Sequence, residues 1–280
     1  MTLPEKLNAL DAHLSRLGSL LVACSGGIDS AYLAWRAHRV LKERTLAVIA
    51  DSPSLARSQY HDALAFAQEQ GLRILTIQTR EMDREAYAAN GADRCFHCKD
   101  ELFTALEAER AHRGWAAVAY GLNADDRSDF RPGQQAAAAH HVAAPLAEAG
   151  LTKAEIRTLA AQAGLRLWNK PASACLSSRL AYGQRVTPES LRMVEQAEDA
   201  LHALGLRHVR VRHHGEIARI EIAPEEMEAA LTVEMFRSMA QAVRGAGFHY
   251  VAVDCDGYRS GSMNELLPVE VLTAAISNHK

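Results

Sequence analysis

Leu20-Leu21-Val22-Ala23-Cys24-Ser25-Gly26-Gly27-Ile28-Asp29-Ser30 is a strand that runs into a glycine turn and then into a helix. Leu20 through Cys24 are apolar without a break, as a strand buried on both faces should be. Ser25-Gly26-Gly27 can take backbone conformations that a β-carbon forbids. From Ser30 the pattern reads as the first turns of a helix. Turn amides and the positive end of that helix make an anion cradle, and the absent glycine side chains let a phosphate approach. Asp29 does not suit an anion site by itself; its carboxylate fits a holder of Mg²⁺ or of the turn. The string lacks the Gly-Lys-Ser/Thr of a P-loop and the third glycine of a dinucleotide fingerprint.

Outward from this stretch, residues 45–50 and 73–78 are apolar strands separated by helical patterns, and residues 116–120 form a fourth. Strand, helix, strand, helix at this spacing predicts an α/β fold with a doubly wound parallel sheet. A fifth short strand is expected at 142–146. Polar residues at the carboxyl ends of such strands sit at the ligand edge. Asp51 and Ser52 after the second strand are therefore candidates for adenosine contact, with Ser54 an alternative helix cap. Gly121 and Asn123 follow the fourth strand, and Asp129 and Arg131 lie in the charged loop beyond it. Thr152 and Glu155 form a capping-box pattern at the start of a helix that Gly164 ends. Lys153, against the dipole preference in that first turn, suits a phosphate contact, with an ordinary exposed lysine as the alternative.

Residues 168–183 carry small residues, serines, Cys175 and Arg179 without periodicity, which predicts a working loop. After it the pattern changes. A helix at 188–204, two alternating strands at 209–214 and 217–222, further helical stretches and a strand at 248–253 predict a small α+β unit. Arg210 and Arg212 share one strand face, as a solvated edge or as a phosphate clamp. Glu198 and Glu221 are further polar-site candidates. The segmentation is 1–171, a loop and hinge at 172–187, and 188–280.

With 31 basic and 34 acidic residues the formal charge is −3, which shows no bias towards nucleic acid. No apolar run reaches membrane-spanning length, the opening residues are polar and predict no secretion signal, and the expected compartment is the cytoplasm. Five cysteines, at 24, 95, 98, 175 and 255, are an odd count that argues against a disulfide framework. Cys95 and Cys98 form a Cys-x-x-Cys at or just before a helix start, where amides favour thiolates. Taken alone, that motif reads as zinc, iron–sulfur, a redox pair or nothing. Cys24 and Cys255 read as small apolar residues of buried strands.

The Ser-Gly-Gly-x-Asp-Ser loop resembles that of the N-type ATP pyrophosphatases. Four further motifs narrow the resemblance: Arg94-Cys95-Phe96-His97-Cys98-Lys99; Gly121-Leu122-Asn123-Ala124-Asp125-Asp126 with Arg131-Pro132-Gly133; 170–179; and Arg210-Val211-Arg212-His213-His214-Gly215 leading to Glu221. Together they resemble the LarE family of sulfur transferases over nearly the whole chain. The resemblance implies an ATP- and Mg²⁺-dependent enzyme that adenylates a carboxylate of a pyridinium dicarboxylate mononucleotide. Sulfur then displaces AMP, on the route to a nickel-pincer nucleotide cofactor. It implies that Ser25, Gly26, Gly27, Asp29 and Ser30 hold ATP phosphates and Mg²⁺. Asp51, Ser52, Gly121 and Asn123 would lie near the nucleotide. Arg210 and Arg212 would bind a phosphate, and Ser178 and Arg179 would orient the reacting groups. Cys95, Cys98 and Cys175 would hold a 4Fe–4S cluster, or Cys175 alone would give up its sulfur. The partner is a small-molecule nucleotide rather than nucleic acid or membrane, and the family assembles as hexamers. Rival readings are an iron–sulfur tRNA thiolase, which calls for basic stripes, an ammonia-using ligase, and a nucleotide-binding regulator.

Overall fold

A computed structural model describes residues 1–128, 132–170 and 174–259. These group into two compact units. The first takes the described residues within Met1–Glu81 and Cys95–Ser173, the second those within Met82–Arg94 and Ala174–Ala274. Residues 82–94, inside the expected first domain by sequence, thus group with the second unit.

The first unit contains α1 (Leu3–Leu17), β1 (Leu20–Cys24), α2 (Ile28–Leu41), β2 (Thr45–Asp51), α3 (Arg57–Glu69) and β3 (Ile74–Gln78). The short α4 (Glu85–Ala88) lies in the second unit, and α5 (Arg94–Arg113) returns the chain to the first. There β4 (Ala117–Tyr120), α6 (Pro132–Ala139), α7 (Pro145–Glu148) and α8 (Lys153–Gln162) complete the unit. Four strands form a parallel sheet in the order β3-β2-β1-β4, with Leu20 opposite Thr45 and Ala117. Alternation along β1 explains its uninterrupted apolarity. Leu20 and Val22 pack on one face with Leu10, Leu14 and Leu33. Leu21 and Ala23 pack on the other with Phe103, Leu106 and Val118. Both faces are covered by helices, as a parallel sheet requires. The α/β doubly wound expectation holds for this unit.

The expected fifth strand does not form. Ala143 makes a single parallel bridge to Ala119, and the chain turns at once into α7. Pro145 is the reason: it has no amide for a ladder, and its fixed φ suits the first position of a helix. Thr152 caps α8 by accepting from the Glu155 amide at 3.3 Å, and Glu155 accepts from the Thr152 amide at 2.9 Å, so the capping box is present. Ser54 does not cap α3, which starts from Ala56.

In the second unit the order is α9 (Pro188–Ala203), β5 (Val209–His214), β6 (Ile217–Ile222), α10 (Pro224–Ala230), α11 (Val233–Gly245) and β7 (Tyr250–Val253). β5 and β6 are an antiparallel hairpin, with β7 added parallel to β6. Leu191, Val194 and Leu201 of α9 are buried with Val209, Val211, Ile220 and Val243. Among the described residues no helix is long and apolar enough to cross a membrane.

Candidate active site

The turn between β1 and α2 is closed by Ser30. Its Oγ accepts from the Ser25 amide at 3.1 Å, lies 3.2 Å from Ser25 Oγ, and donates to the Gly27 carbonyl at 3.1 Å. Gly26 has φ +75°, and a β-carbon there would lie 3.0 Å from the Gln59 carbonyl oxygen. Gly27 is extended and caps α2, a fourteen-residue helix, without any side-chain oxygen of its own. The first-turn amides are therefore not taken by a cap and can serve an anion. Gly121 passes so close that a β-carbon there would sit 2.6 Å from the Ser30 nitrogen. Small side chains of Ala31, Ala47 and Ala63, with Cys24 and Phe66, line an apolar cavity behind the loop. Burial pushes the Cys24 thiol up to about 12, which leaves it inert.

Asp29 projects from the first turn of α2. Its Oδ2 accepts from Lys153 Nζ at 3.0 Å and from Asn123 Nδ2 at 3.5 Å. Its Oδ1 is buried and makes no hydrogen bond among the described residues. A buried acceptor beside helix-start amides that can take an anion is the donor a hard oxygen-seeking cation wants, so these residues fit Mg²⁺. Lys153 reaches the loop because its own amide is anchored on Asp125 Oδ2 at 2.8 Å. Asn123 is wholly buried and shapes the turn after β4, its Oδ1 accepting from the amides of Asp125 and Asp126 at 2.9 and 3.2 Å.

At the end of β2 the side chains are already engaged. Asp51 binds Arg57 Nη1 at 2.6 Å and Gln78 Nε2 at 3.1 Å, and the Arg57 bond holds its carboxyl below the ordinary range. Ser52 donates to the buried Glu81 and accepts from the Ser54 amide at 3.0 Å. Neither Arg57 nor Glu81 was flagged by the sequence, and no pattern pointed to Glu81.

Cys95 and Cys98 occupy the first turn of α5, three residues apart and so on one side of the helix; Cys95 is exposed and Cys98 half-buried. Gly133 lets α6 approach, since a β-carbon there would lie 3.4 Å from the Cys95 carbonyl oxygen and 2.9 Å from Lys99 Cγ. Asp129 and Arg131 lie outside the described residues.

In the second unit Cys175 precedes a 3₁₀ turn, Leu176–Arg179. Its carbonyl accepts from the Ser178 amide at 3.0 Å, Ser178 Oγ at 2.7 Å and Arg179 Nη1 at 3.0 Å. Arg179 is 2% exposed and forms a two-pronged pair with Glu198, at 3.0 and 3.1 Å. Glu198 Oε1 also accepts from the Val211 amide at 3.0 Å. Arg212 Nη2 binds Glu221 Oε2 at 2.7 Å, and Arg212 Nη1 donates to the Ser178 carbonyl at 3.1 Å. Arg219 meets the other Glu221 oxygen at 3.2 Å and also pairs with Asp254. Arg210 stacks its guanidinium 5.5 Å above the Tyr258 ring. Burial first, and then the positive charge of Arg179, lowers its affinity for a proton. Crowded guanidinium groups of this kind attract an anion. Ser178, Arg179, Arg210, Arg212, Glu198 and Glu221 are thus gathered in one unit. Cys255 is exposed rather than buried, because it comes after β7 in a turn instead of ending a strand.

Three thiolates leaving one iron open are sound ligands for a 4Fe–4S cluster. Among the described residues, however, no three His, Cys, Asp or Glu side chains are gathered to hold one metal ion.

Residues 8–114 match the NAD synthase family. Over 267 residues the chain is 36% identical to the pyridinium-3,5-bisthiocarboxylic acid mononucleotide synthase of Lactiplantibacillus plantarum, covering 95% of this chain and 96% of that protein. It is 40% identical to an uncharacterized protein of Synechocystis, over 95% of this chain and 99% of that one. It is 25% identical to an uncharacterized protein of Methanocaldococcus jannaschii, over 86% and 91% respectively.

Proposed function

The chain belongs to the LarE family of ATP-using sulfur transferases, and on that premise we propose that it converts carboxylates of a pyridinium dicarboxylate mononucleotide to thiocarboxylates. The observation that carries this reading is the loop closed by Ser30 with Asp29 Oδ1 left for a cation. It occurs in a chain similar over 95% of its length to a synthase of that product class. ATP phosphates lie on the amides of Gly26, Gly27 and the first turn of α2, with Mg²⁺ on Asp29. Gly121 and the backbone at Asp51 and Ser52 border the nucleotide. The substrate carboxylate attacks the α-phosphorus, the bond to the β-phosphate oxygen breaks, and pyrophosphate leaves. Sulfur then adds to the acyl carbon and AMP departs with the C–O bond electrons. Adenylation is needed because a carboxylate oxygen is otherwise a poor leaving group. Arg210 and Arg212 hold a substrate or nucleotide phosphate, and Ser178 and Arg179 fix the Cys175 turn.

For the sulfur source we infer the cluster route, with Cys95, Cys98 and Cys175 as ligands. It is supported by the exposed thiol at the first turn of α5 and by its partner three residues on. When bound, such a cluster supplies an open iron able to carry an extra sulfide. The second reading, supported by the three hydrogen bonds that fix the Cys175 carbonyl, is that Cys175 gives its own sulfur and becomes dehydroalanine.

Iron and acid-labile sulfide on anaerobically purified protein separate the two. The expected result is about four irons with broad visible absorption, lost in Cys95→Ala, Cys98→Ala and Cys175→Ala. Protein that takes up no iron, and loses one H₂S in mass at Cys175 after turnover, would replace the cluster route with the sacrificial one. Full thiolation by Cys175→Ala would remove both.

A further inference from the structure

Residues 82–94 stand just ahead of Cys95 in sequence, yet they belong to the unit that carries Cys175. Asn90 explains how they are held. It is fully buried and has φ +57°, a left-handed conformation that asparagine tolerates better than most residues. Both hydrogens of its side-chain amide are spent, on the carbonyls of Ala181 and Gln184, each at 2.8 Å. Its backbone carbonyl accepts from the Gly183 amide at 3.0 Å. Its Oδ1 accepts from Arg94 Nη1 at 2.5 Å, and the same Arg94 nitrogen donates to the Ser177 carbonyl at 2.8 Å. Tyr87 completes the set: its hydroxyl lies 2.6 Å from Ser177 Oγ, and both residues are buried. A last backbone bond runs from the Val186 amide to the Ala88 carbonyl at 2.8 Å.

From these contacts we propose that Tyr87, Asn90 and Arg94 are positioning residues for sulfur transfer, a buried brace that sets the Cys175 turn. Arg179, with Glu198 behind it, grips the turn through the Cys175 carbonyl; the brace grips it through both the side chain and the carbonyl of Ser177. A thiol or its bound sulfur must meet the acyl carbon within a narrow range of distance and angle, and misplacement by about 1 Å can cost on the order of a hundredfold. A surface loop with no packing of its own would not hold that tolerance; one gripped from two sides by buried hydrogen-bonding groups does. The bonds from Tyr87, Asn90 and Arg94 named above run to Ser177, Ala181 and Gln184, so the brace is expected to act on sulfur delivery and to leave the KM for ATP unchanged. The inference rests on Cys175 being the residue that delivers or ligates the sulfur.

The test uses the full chain with Tyr87→Phe, which deletes one hydroxyl, and Arg94→Lys, which keeps the charge but loses the planar fork. Three quantities are read: the KM for ATP, the ratio of pyrophosphate released to thiocarboxylate formed, and the alkylation rate of Cys175 in iron-free protein without substrate. An unchanged KM is expected. The pyrophosphate-to-product ratio should rise about tenfold as the adenylate is lost to water before sulfur reaches it. Cys175 alkylation should rise several-fold, and Arg94→Met should exceed Arg94→Lys in both effects. A general loss of fold would instead move the KM and the melting temperature together. A wild-type ratio and a wild-type alkylation rate in both variants would overturn the brace. Thiolation that survives Cys175→Ala would overturn the assigned role of Cys175, and the alkylation rate would still report on the brace.

Discussion

Asp51 stands at the ligand edge of β2, yet its carboxylate is shared between Arg57 and Gln78. The strand-end position was legible in the sequence; the engagement was not, because Arg57 lies six residues on and Gln78 arrives from the neighbouring strand. The pair has a pH signature whose sign can be worked out. The bond to Arg57 is the main cause of a folded-state pKa below the ordinary 3.8. A lowered folded pKa contributes stability that is present above the unfolded pKa and is lost as pH falls through the folded value. Arg57→Ala should therefore lower the urea midpoint at pH 7 and lower it by less at a pH below the folded-state value, where the Asp51 carboxyl is neutralised. Equal shifts at both pH values would mean that Arg57 acts through packing and its bonds to the Ser52 and Leu55 carbonyls. Lys153 is the converse case. Its oddity in a helix first turn was visible in the sequence, but only the fold could supply Asp29 as its partner.

Elements written by local rules were read from the sequence nearly as they stand: β1 with its loop, the capping box of α8, and the β5–β6 hairpin with Gly215 at φ +68°. What failed at this scale was the stretch at 142–146, whose apolar residues suit a strand until Pro145 forbids it. The approach of the β4 end to α2 was also beyond reading, since it joins residues far apart in the chain. Gly121 is where that approach is tightest. A β-carbon there would lie 2.6 Å from the Ser30 nitrogen and 2.8 Å from its α-carbon, both backbone atoms that cannot swing aside. Gly121→Ala must therefore displace the first turn of α2, whose Ser30 hydroxyl closes the loop after β1 on which the proposed ATP site rests. ATP affinity should fall by at least tenfold, about 1.4 kcal/mol, as read by calorimetric titration with a non-hydrolysable analogue and Mg²⁺. Affinity held at the wild-type value would mean that the loop tolerates the shift.

At the scale of the whole molecule the second unit is assembled from two stretches far apart in the chain, 82–94 and the described residues from Ala174 onward. The change of pattern near 188 was plain, but nothing in the composition of residues 82–94 marks them as part of a unit whose larger piece begins only at Ala174. Their contribution is structural as well as positional. Without them the carbonyls of Ser177, Ala181 and Gln184 each lose a donor, and the Gly183 and Val186 amides lose their acceptors. Ser177 and Val186 are buried, and buried polar groups stripped of partners cost about 1–3 kcal/mol each, a large share of the roughly 5–15 kcal/mol that keeps a domain folded. A polypeptide of residues 174–280 should accordingly show no cooperative thermal transition by circular dichroism. The same polypeptide with residues 82–94 joined ahead of it through a flexible glycine–serine linker should regain one. If both melt alike, the Tyr87–Arg94 stretch is an accessory to the unit rather than part of its fold. Reduced folding in the first and recovery in the second would make the discontinuous unit, not the linear segment after residue 174, the piece that folds.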